Sequence, residues 1–311
     1  MATMAASIIS KIPSTIGRVE MFDGTLDDKT AFINPQTGEH NIKGKKILDV
    51  KVHDVRARSP PGKFDSMGWE LVKFPTALTE AELLDHTSPE GKANIQAKYW
   101  PETAQLVKQY TGAAHVIPFH SRVRSQTLGY HPDEVFFMKT GVSQPASTVH
   151  VDNDHTTAMQ HAVRELGEEG INDLISKHKR WAIINVWRPI GIPVKQWPLL
   201  IVDHSRVGPM SYADNIAPIY RHNNPEYVLH YKQYENWLKY ESEHADDLTF
   251  WYASNMTPDE AILFKDYDCR TDQFRGTPHG GFQDSSSPTD APARRSVEVR
   301  LFVFFDNDDF Y

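Results

Sequence analysis

The sequence predicts a mainly β fold with flanking helices, either a sandwich or a barrel-like jelly roll. From about Ala114 onward, short apolar and β-branched runs are separated by Pro, Gly, Asn or Asp, as in all-β domains. Aromatic residues make up 11% of the chain and concentrate late, in LTFWYASN and LFVFFDNDDFY, which suits a ring-lined β core. No repeat or linker divides the 311 residues, so we expect one domain, residues 1–311.

Two segments precede the predicted core. Residues 1–45 are rich in turn-forming sequences, such as FDGTLDD and NPQTGEHN, and predict an extended N-terminal arm. Residues 46–113 mix strand and helix: ILDVKVHDV alternates apolar and polar residues, whereas TEAELLDH and NIQAKYWPETAQLVKQYTG have helical starts and stops. We expect this mixed segment to support a jelly-roll core formed by residues 114–311.

Eight stretches of the core region have the length and composition of strands. One helical insertion interrupts them near residues 156–178, where Met159, Ala162, Val163 and Leu166 follow the helical period. The predicted strands are AHVIPF, EVFFMK, STVHVD, WAIINVW, PLLIVD, LTFWYA, AILFKD and SVEVRLFVFF.

Charge and cysteine content exclude several classes of partner. The formal net charge is −8, which argues against nucleic acid or an anionic membrane as the main partner. A single cysteine, Cys269, rules out an intrachain disulfide and suits a reducing compartment. The longest apolar runs have strand length, too short to span a bilayer. We therefore expect a soluble, cytoplasmic protein, with a homo-oligomer left open.

The pattern His-x-Asp occurs three times, and it suits metal binding only where both side chains point the same way. On a strand, residues i and i+2 share a face, whereas on a helix they lie roughly 200° apart. His244–Asp246 lies in a charged stretch of helical character, and His131–Asp133 spans a proline in a predicted turn. The pair His150 and Asp152 in TVHVDND lies in a β-branched run and is the favoured metal-ligand candidate.

A catalytic metal with open positions needs a third protein ligand, and His279 in RGTPHGGFQD is the natural candidate. Two histidines and one carboxylate leave three positions free, which suits Fe(II) that binds a co-substrate and O2. The glycines after His279 allow close approach of the backbone to a bound group. The competing interpretation is a turn histidine without a function.

Arg294 and Ser296 lie fifteen and seventeen residues after His279 and share one face of a predicted strand. A guanidinium and a hydroxyl suit a carboxylate, because arginine can bind both of its oxygens. This pair would hold the far end of a dicarboxylate co-substrate. The alternative is that Arg294, Arg295 and Arg300 are solvated charges paired with Glu298 or with the acidic tail.

The ordered set His150-x-Asp152, His279 and Arg294-x-Ser296 resembles the Fe(II)/2-oxoglutarate-dependent oxygenases. The resemblance extends from about residue 50 to 305. Within these oxygenases, the segment is most similar to the gibberellin desaturase, cephem methoxylase and fungal hydroxylase/desaturase family, which includes endoperoxide-forming oxygenases. Further stretches carry it: HDVRARSPPGKFDSMGWELVKFPT, YWPETAQLVKQYTGAAHVIPFHSRVR, NVWRPI, PLLIVD, DEAILFKDYDCR, PHGGF and ARRSVEVRLFVF.

The resemblance implies a double-stranded β-helix, the cupin-like form of the jelly roll. It implies that His150, Asp152 and His279 bind Fe(II), and that Arg294 and Ser296 hold the distal carboxylate of 2-oxoglutarate, with O2 as the second co-substrate. The implied activity is hydroxylation, desaturation, endoperoxidation or oxidative rearrangement of a natural product in secondary metabolism. The late aromatic residues favour a bulky, largely apolar substrate, although packing of the β core explains them as well.

Other interpretations of the same residues stay open. Asn185 and Trp187 in INVWRP share one strand face and are candidates for the substrate side of the cavity, although core packing also explains them. The metal ligands also suit Zn2+ in a hydrolase or isomerase, which would leave Arg294 and Ser296 without a function. A non-catalytic jelly-roll partner subunit is the third interpretation.

Overall fold

Two β-sheets face each other in the computed structural model, and helices cover the outer face of the smaller sheet. The structure describes residues 12–34, 39–59, 61, 63–125, 145–203, 216–221, 233–239, 248–270 and 276–306. The mainly β fold predicted from the sequence is confirmed within these residues. The strands are β1 (Ser14–Phe22), β2 (Phe32–Ile33), β3 (Lys45–Asp54), β4 (Trp69–Lys73), β5 (His115–Ser125), β6 (His150–Val151), β7 (Arg180–Pro189), β8 (Leu199–Asp203), β9 (Ile216–Arg221), β10 (Gln233–Leu238), β11 (Thr249–Tyr252), β12 (Glu260–Asp268), β13 (His279–Gly281), β14 (Gln283–Asp284) and β15 (Arg295–Phe305).

The large sheet has the strand order β14-β1-β3-β11-β8-β13-β6-β10-β9-β2, and the small sheet has the order β4-β12-β7-β15-β5. Most neighbours are antiparallel, while β3 with β11 and β2 with β9 run parallel. Strands that are distant in sequence lie side by side, which is typical of a jelly roll. This topology places β6 directly beside β13.

The α-helices of the described residues are α1 (Phe64–Met67), α2 (Glu80–Leu84), α3 (Pro89–Asn94), α4 (Trp100–Thr111) and α5 (His155–Lys177). A π-helical turn, Ile95–Tyr99, joins α3 to α4, and a short 3₁₀ helix, Val55–Ala57, follows β3. Both predicted helix signals before the core are present. Thr79 forms a capping box with Glu82 at the start of α2, and Gly112 ends α4 with a positive φ of 65°. No helix among the described residues is long and apolar enough to cross a membrane.

The helical insertion predicted at 156–178 corresponds to α5. Gly167 lies inside it with a φ of 73°, a conformation that glycine adopts without the steric cost of a side chain, and it kinks the helix. The amino-terminal half buries Ala158, His161 and Ala162 against the β core.

Apolar side chains form separate cores on the two faces of the small sheet. On its outer face, Val297 and Val299 pack with Leu106 and other residues of α2 to α4. On its inner face, Trp187 and Phe264 pack with residues of the large sheet such as Ile201. The polar residues on the inner face of the small sheet therefore face the space between the two sheets.

The N-terminal segment differs from the expected arm, because Ser14–Phe22 forms β1 of the large sheet. Its side chains alternate between exposed and buried over most of the strand, and it pairs with β3 along its length. A Cβ atom on Gly17 would lie 2.6 Å from side-chain atoms of Phe282 and Val52, so only glycine allows this close packing. The predicted strand EVFFMK lies outside the described residues.

Candidate metal centre and co-substrate site

His150, Asp152 and His279 converge at one point on the inner face of the large sheet. Strands β6 and β13 are neighbours, and their register places His279 directly opposite His150. One ligand atom from each of the three side chains lies within 4.8 Å of the others. Nε2 of His150 is 3.6 Å from Oδ1 of Asp152, and Nε2 of His279 is 3.7 Å from Oδ2. The three predicted ligands therefore form one cluster.

Both histidines present the same nitrogen to the cluster. Nδ1 of His150 lies 2.7 Å from the Thr148 carbonyl oxygen, and Nδ1 of His279 lies 3.0 Å from that of Thr277. A carbonyl oxygen only accepts hydrogen bonds, so in each ring Nδ1 carries the hydrogen and donates the hydrogen bond. Nε2 of each ring therefore has a lone pair, which faces Asp152. Burial, followed by the neighbouring His150, lowers the pKa of His279 to about 4, so this ring is neutral at physiological pH.

The Asp152 carboxylate is ionised and held from several directions. Nη2 of Arg300 is 2.8 Å from Oδ1, and Nδ2 of Asn185 is 3.4 Å from Oδ2. Burial opposes the charged carboxylate, but the neighbouring Arg300 outweighs burial, so the pKa of Asp152 lies well below its ordinary value. The cluster thus offers one anionic oxygen ligand.

The backbone amide of Asp152 is held by the buried carboxyl group of Asp266. The Asp152 amide donates to Oδ1 of Asp266 at 3.1 Å, and the Asn153 side chain donates to Oδ2. Burial, with the nearby Asp152 as the second cause, raises the pKa of Asp266 to about 8. Asp266 lies on β12 of the small sheet, so it ties the turn after β6 to the opposite sheet.

Arg294 and Ser296 form a second polar site on the inner face of the small sheet, although Arg294 itself precedes β15 by one residue. Arg294 is only 3% exposed, its Nη1 donates to the Trp197 carbonyl at 2.6 Å, and its guanidinium lies 5.4 Å from the Trp187 ring centroid. Burial lowers the pKa of Arg294 to about 9, and Arg124 is the second cause. A Cβ atom on Gly281 would lie 3.5 Å from Nη1, so the site lies beside β13.

Within the described residues, Nε of Arg294 and Oγ of Ser296 are buried without a hydrogen-bond partner. Buried polar atoms without partners are rare in folded proteins, and a ligand with acceptor atoms at this place would satisfy both. One guanidinium donor and one hydroxyl beside a metal-ligand cluster fit a carboxylate. Arg295 instead forms an ion pair with Glu80 on the helical side of the sheet.

The cluster also fits an iron ion by its donor chemistry. Two neutral imidazole nitrogens and one carboxylate on one side of a site are the ligands that non-haem Fe(II) takes, with positions left for other groups. The carbonyl partners of both Nδ1 atoms are the kind of outer contact that fixes histidine ligands before metal binding.

Sequence reasoning missed Arg300, Asp266 and Asn153 as parts of this site. Arg300 shares the inner face of its strand with Ser296 and Glu298, so its even spacing was a usable signal. Asp266 had no comparable signal, because its contact with Asp152 spans 114 residues. The pairs His131–Asp133 and His244–Asp246 lie outside the described residues.

Comparisons with known proteins agree with this geometry. A family model described as an oxidoreductase/YMDC permease-like domain matches residues 22–304. Oxidoreductase R1 of Phoma sp. (strain ATCC 20986 / MF5453) is 34% identical over 309 residues, which cover 97% of this chain and all of the relative. Oxidoreductase clz16 of Cochliobolus lunatus is 36% identical over 294 residues, which cover 94% of this chain and 97% of the relative.

A solved structure extends the likeness to the fold. The iron and alpha-ketoglutarate-dependent endoperoxidase NvfI superposes with a TM-score of 0.73 at 25% identity, over 94% of this chain and 99% of its own. The β core and its two-histidine, one-carboxylate cluster are those of the non-haem Fe(II)/2-oxoglutarate-dependent oxygenases. The chain belongs to the oxidoreductase family whose model covers residues 22–304, together with R1 and clz16.

Proposed function

We propose that His150, Asp152 and His279 bind Fe(II), and that Arg294 and Ser296 bind the distal carboxylate of 2-oxoglutarate, in the oxidation of a small natural product. The observation that carries this proposal is the convergence of two Nε2 atoms and one carboxylate within 4.8 Å. When bound, the iron with 2-oxoglutarate and O2 supplies the oxidant for a substrate C–H bond, with succinate and CO2 as by-products.

The protein contributes ligands in the correct protonation state and a fixed geometry. His279 is neutral and Asp152 is ionised before metal binding, so little proton release opposes it at physiological pH. Arg294 is preorganised by the Trp197 carbonyl and the Trp187 ring, so little side-chain entropy is lost when a carboxylate binds.

We propose a bulky and largely apolar substrate, as the aromatic content of the chain predicts. The Phe264 ring lies 4.4 Å from that of His279, so an apolar wall borders the metal ligands. The placement of Asn185 and Trp187 on the substrate side of the cavity stays a prediction. Asn185 contacts the proposed metal ligand Asp152, and Trp187 contacts Arg294, which we propose binds the co-substrate.

Which oxidation follows depends on how the cavity holds the substrate after hydrogen abstraction. Endoperoxidation, the activity named for NvfI, and hydroxylation, desaturation or rearrangement are the candidate outcomes. The single cysteine suits a cytoplasmic enzyme. A homo-oligomer stays among the expected assemblies.

The direct test is anaerobic addition of Fe(II) and 2-oxoglutarate to the purified protein. We expect a visible charge-transfer band that O2 removes, and succinate formation when substrate is present. His150→Ala should lose both signals with an unchanged circular dichroism spectrum. A matched control is His178→Ala, since the His178 ring contacts Asp306 and Phe304 instead of the cluster.

Three results would contradict the proposal. A band that persists in His150→Ala removes this histidine from the ligand set. Tight Zn2+ binding with hydrolytic turnover and no response to 2-oxoglutarate would favour the zinc enzyme, whereas no metal binding at all would favour a non-catalytic partner subunit.

A further inference from the structure

We propose that Arg300 is a positioning residue that holds one oxygen of Asp152, so that the other oxygen is available to the metal. This inference rests on the proposed function and deepens it. Single-oxygen binding by the carboxylate keeps three metal positions open for co-substrates, whereas two-oxygen binding would occupy one of them.

The ion pair between Arg300 and Asp152 is buried. Nη2 of Arg300 lies 2.8 Å from Oδ1 of Asp152, and the two side chains are 11% and 12% exposed. Solvent ions screen such a pair far less than a surface pair, so its preference for Oδ1 persists at physiological salt. The guanidinium therefore occupies one lone pair of Oδ1 in a fixed direction.

Glu298 fixes the guanidinium from its other side. Nε of Arg300 lies 3.4 Å from Oε1 of Glu298, whose side chain is 7% exposed. The two residues are i and i+2 on β15 and therefore share its inner face. Arg300 thus bridges two carboxylates with different nitrogens, which a lysine ammonium on a flexible stem reproduces only in part.

The second oxygen of Asp152 is held much more weakly. Nδ2 of Asn185 approaches Oδ2 at 3.4 Å, a long contact between a neutral donor and the carboxylate. The register of the small sheet pairs Asn185 with Arg300, so both side chains reach Asp152 from adjacent strands. The asymmetry leaves Oδ2 as the more available oxygen, and it lies 3.7 Å from Nε2 of His279.

Two hydrogen bonds to Asp266 fix the main chain at Asp152, so a backbone movement that turned the carboxylate away from Arg300 would break them. The Asp152 amide donates to Asp266 at 3.1 Å, and Asp266 also accepts from the fully buried side chain of Asn153. Because the backbone is fixed, the orientation of the carboxylate plane is decided by Arg300. Changes to such outer contacts typically cost 10- to 100-fold in metal affinity.

The test measures Co2+ binding, which reports affinity and ligand geometry without turnover. Arg300→Met should raise the dissociation constant of Co2+ by about 10- to 100-fold and change the intensity of the visible Co2+ absorption. Arg300→Lys should recover part of the affinity, because the charge remains. Arg295→Met is the matched control, since Arg295 lies on the same strand and pairs with Glu80, and it should leave Co2+ binding unchanged.

Asp152→Ala separates failure of the inference from failure of the proposed function. If Asp152→Ala abolishes Co2+ binding while Arg300→Met matches the wild type in affinity and spectrum, Arg300 is not a positioning residue. If Asp152→Ala binds Co2+ as the wild type does, the metal site itself is wrong. Should Arg300→Met not fold, Glu298→Gln provides the test, with an altered Co2+ spectrum as support and a wild-type spectrum as refutation.

Discussion

Replacing Arg294 with methionine should stabilise the protein and weaken 2-oxoglutarate binding at the same time. Methionine is shorter but has a similar volume and is apolar, so it fills most of the space without the charge. The environment of Arg294 is unfavourable for a cation in the absence of ligand, because the side chain is 3% exposed and faces the charge of Arg124.

The magnitude follows from the proton affinity of Arg294. Folding lowers its pKa from the ordinary value of an arginine side chain to about 9. Each tenfold change in proton affinity is worth about 1.4 kcal/mol, so the buried charge costs about 5 kcal/mol at every pH below about 9. The variant also loses the hydrogen bond to Trp197 and the contact with Trp187, together about 3 kcal/mol. A net gain of about 2 kcal/mol remains, equivalent to about 4 °C in Tm.

Loss of the co-substrate contact should be larger than this gain. Removing the cationic partner of a buried carboxylate costs about 2–5 kcal/mol, and about 3 kcal/mol corresponds to a dissociation constant about 150-fold higher. Thermal unfolding of the Mn2+-loaded protein, followed with and without one fixed concentration of 2-oxoglutarate, measures both effects. The co-substrate should raise the Tm of the wild type and should raise that of the variant much less, because both proteins keep the metal ligands and only the variant lacks Arg294.

The reasoning is refuted if Arg294→Met unfolds at a lower temperature than the wild type and is still stabilised by 2-oxoglutarate to the same extent. Arg295→Met is the control, because Arg295 is partly exposed and pairs with Glu80 away from the site. It should retain the ligand-induced rise in Tm.

Three further predictions concern the metal ligand, the close packing beside Asp266 and a buried histidine. His279→Ala should lose Mn2+ binding in isothermal titration while keeping its circular dichroism spectrum, and retained tight binding would contradict the ligand role. Gly276→Ala should lower the free energy of unfolding by about 2 kcal/mol, because its Cβ would lie 2.3 Å from the Asp266 carbonyl oxygen, whereas Gly170→Ala, whose Cβ would make only an ordinary contact with the Leu166 side chain at 3.6 Å, should not. Burial lowers the pKa of His161 to about 3, below an unfolded value of about 6.5, so the unfolded state binds the proton and stability falls as pH drops through this window. His161→Leu should therefore lose less stability than the wild type between pH 7 and pH 5 in urea unfolding, by about 2 kcal/mol, and an equal loss would exclude His161.

Local pattern was sufficient to predict most elements of the fold. The capping threonine of α2, the terminal Gly112 of α4 and the helical period of α5 are each encoded by neighbours within a few residues. The segment Ser14–Phe22 was missed because turn-forming residues surround it, and its alternation has meaning only once β3 lies beside it.

The residues of the His150, Asp152 and His279 cluster were predictable for a related reason. The strand period alone places His150 and Asp152 on one side of the chain and Arg294 and Ser296 on one side of another segment. The even spacing of Arg300 from Ser296 places it on the same strand face, but this spacing does not identify Asp152 as its partner, because a surface ion pair with Glu298 explains the same residues equally well. The burial of Arg300 shows that its pairs with Asp152 and Glu298 are not surface ion pairs, and burial is a property that only the folded chain has.

The sequence by itself determined which side chains are available as metal ligands and carboxylate partners, and on which face of a strand each lies, because backbone geometry repeats every two residues. Tertiary structure alone decided that His279 lies opposite His150 across 129 residues, and that Asp266 and Arg300 hold Asp152 in place. The physical reason is that strand register and burial arise from packing of the whole β core, so contacts between distant segments exist only after that core has formed.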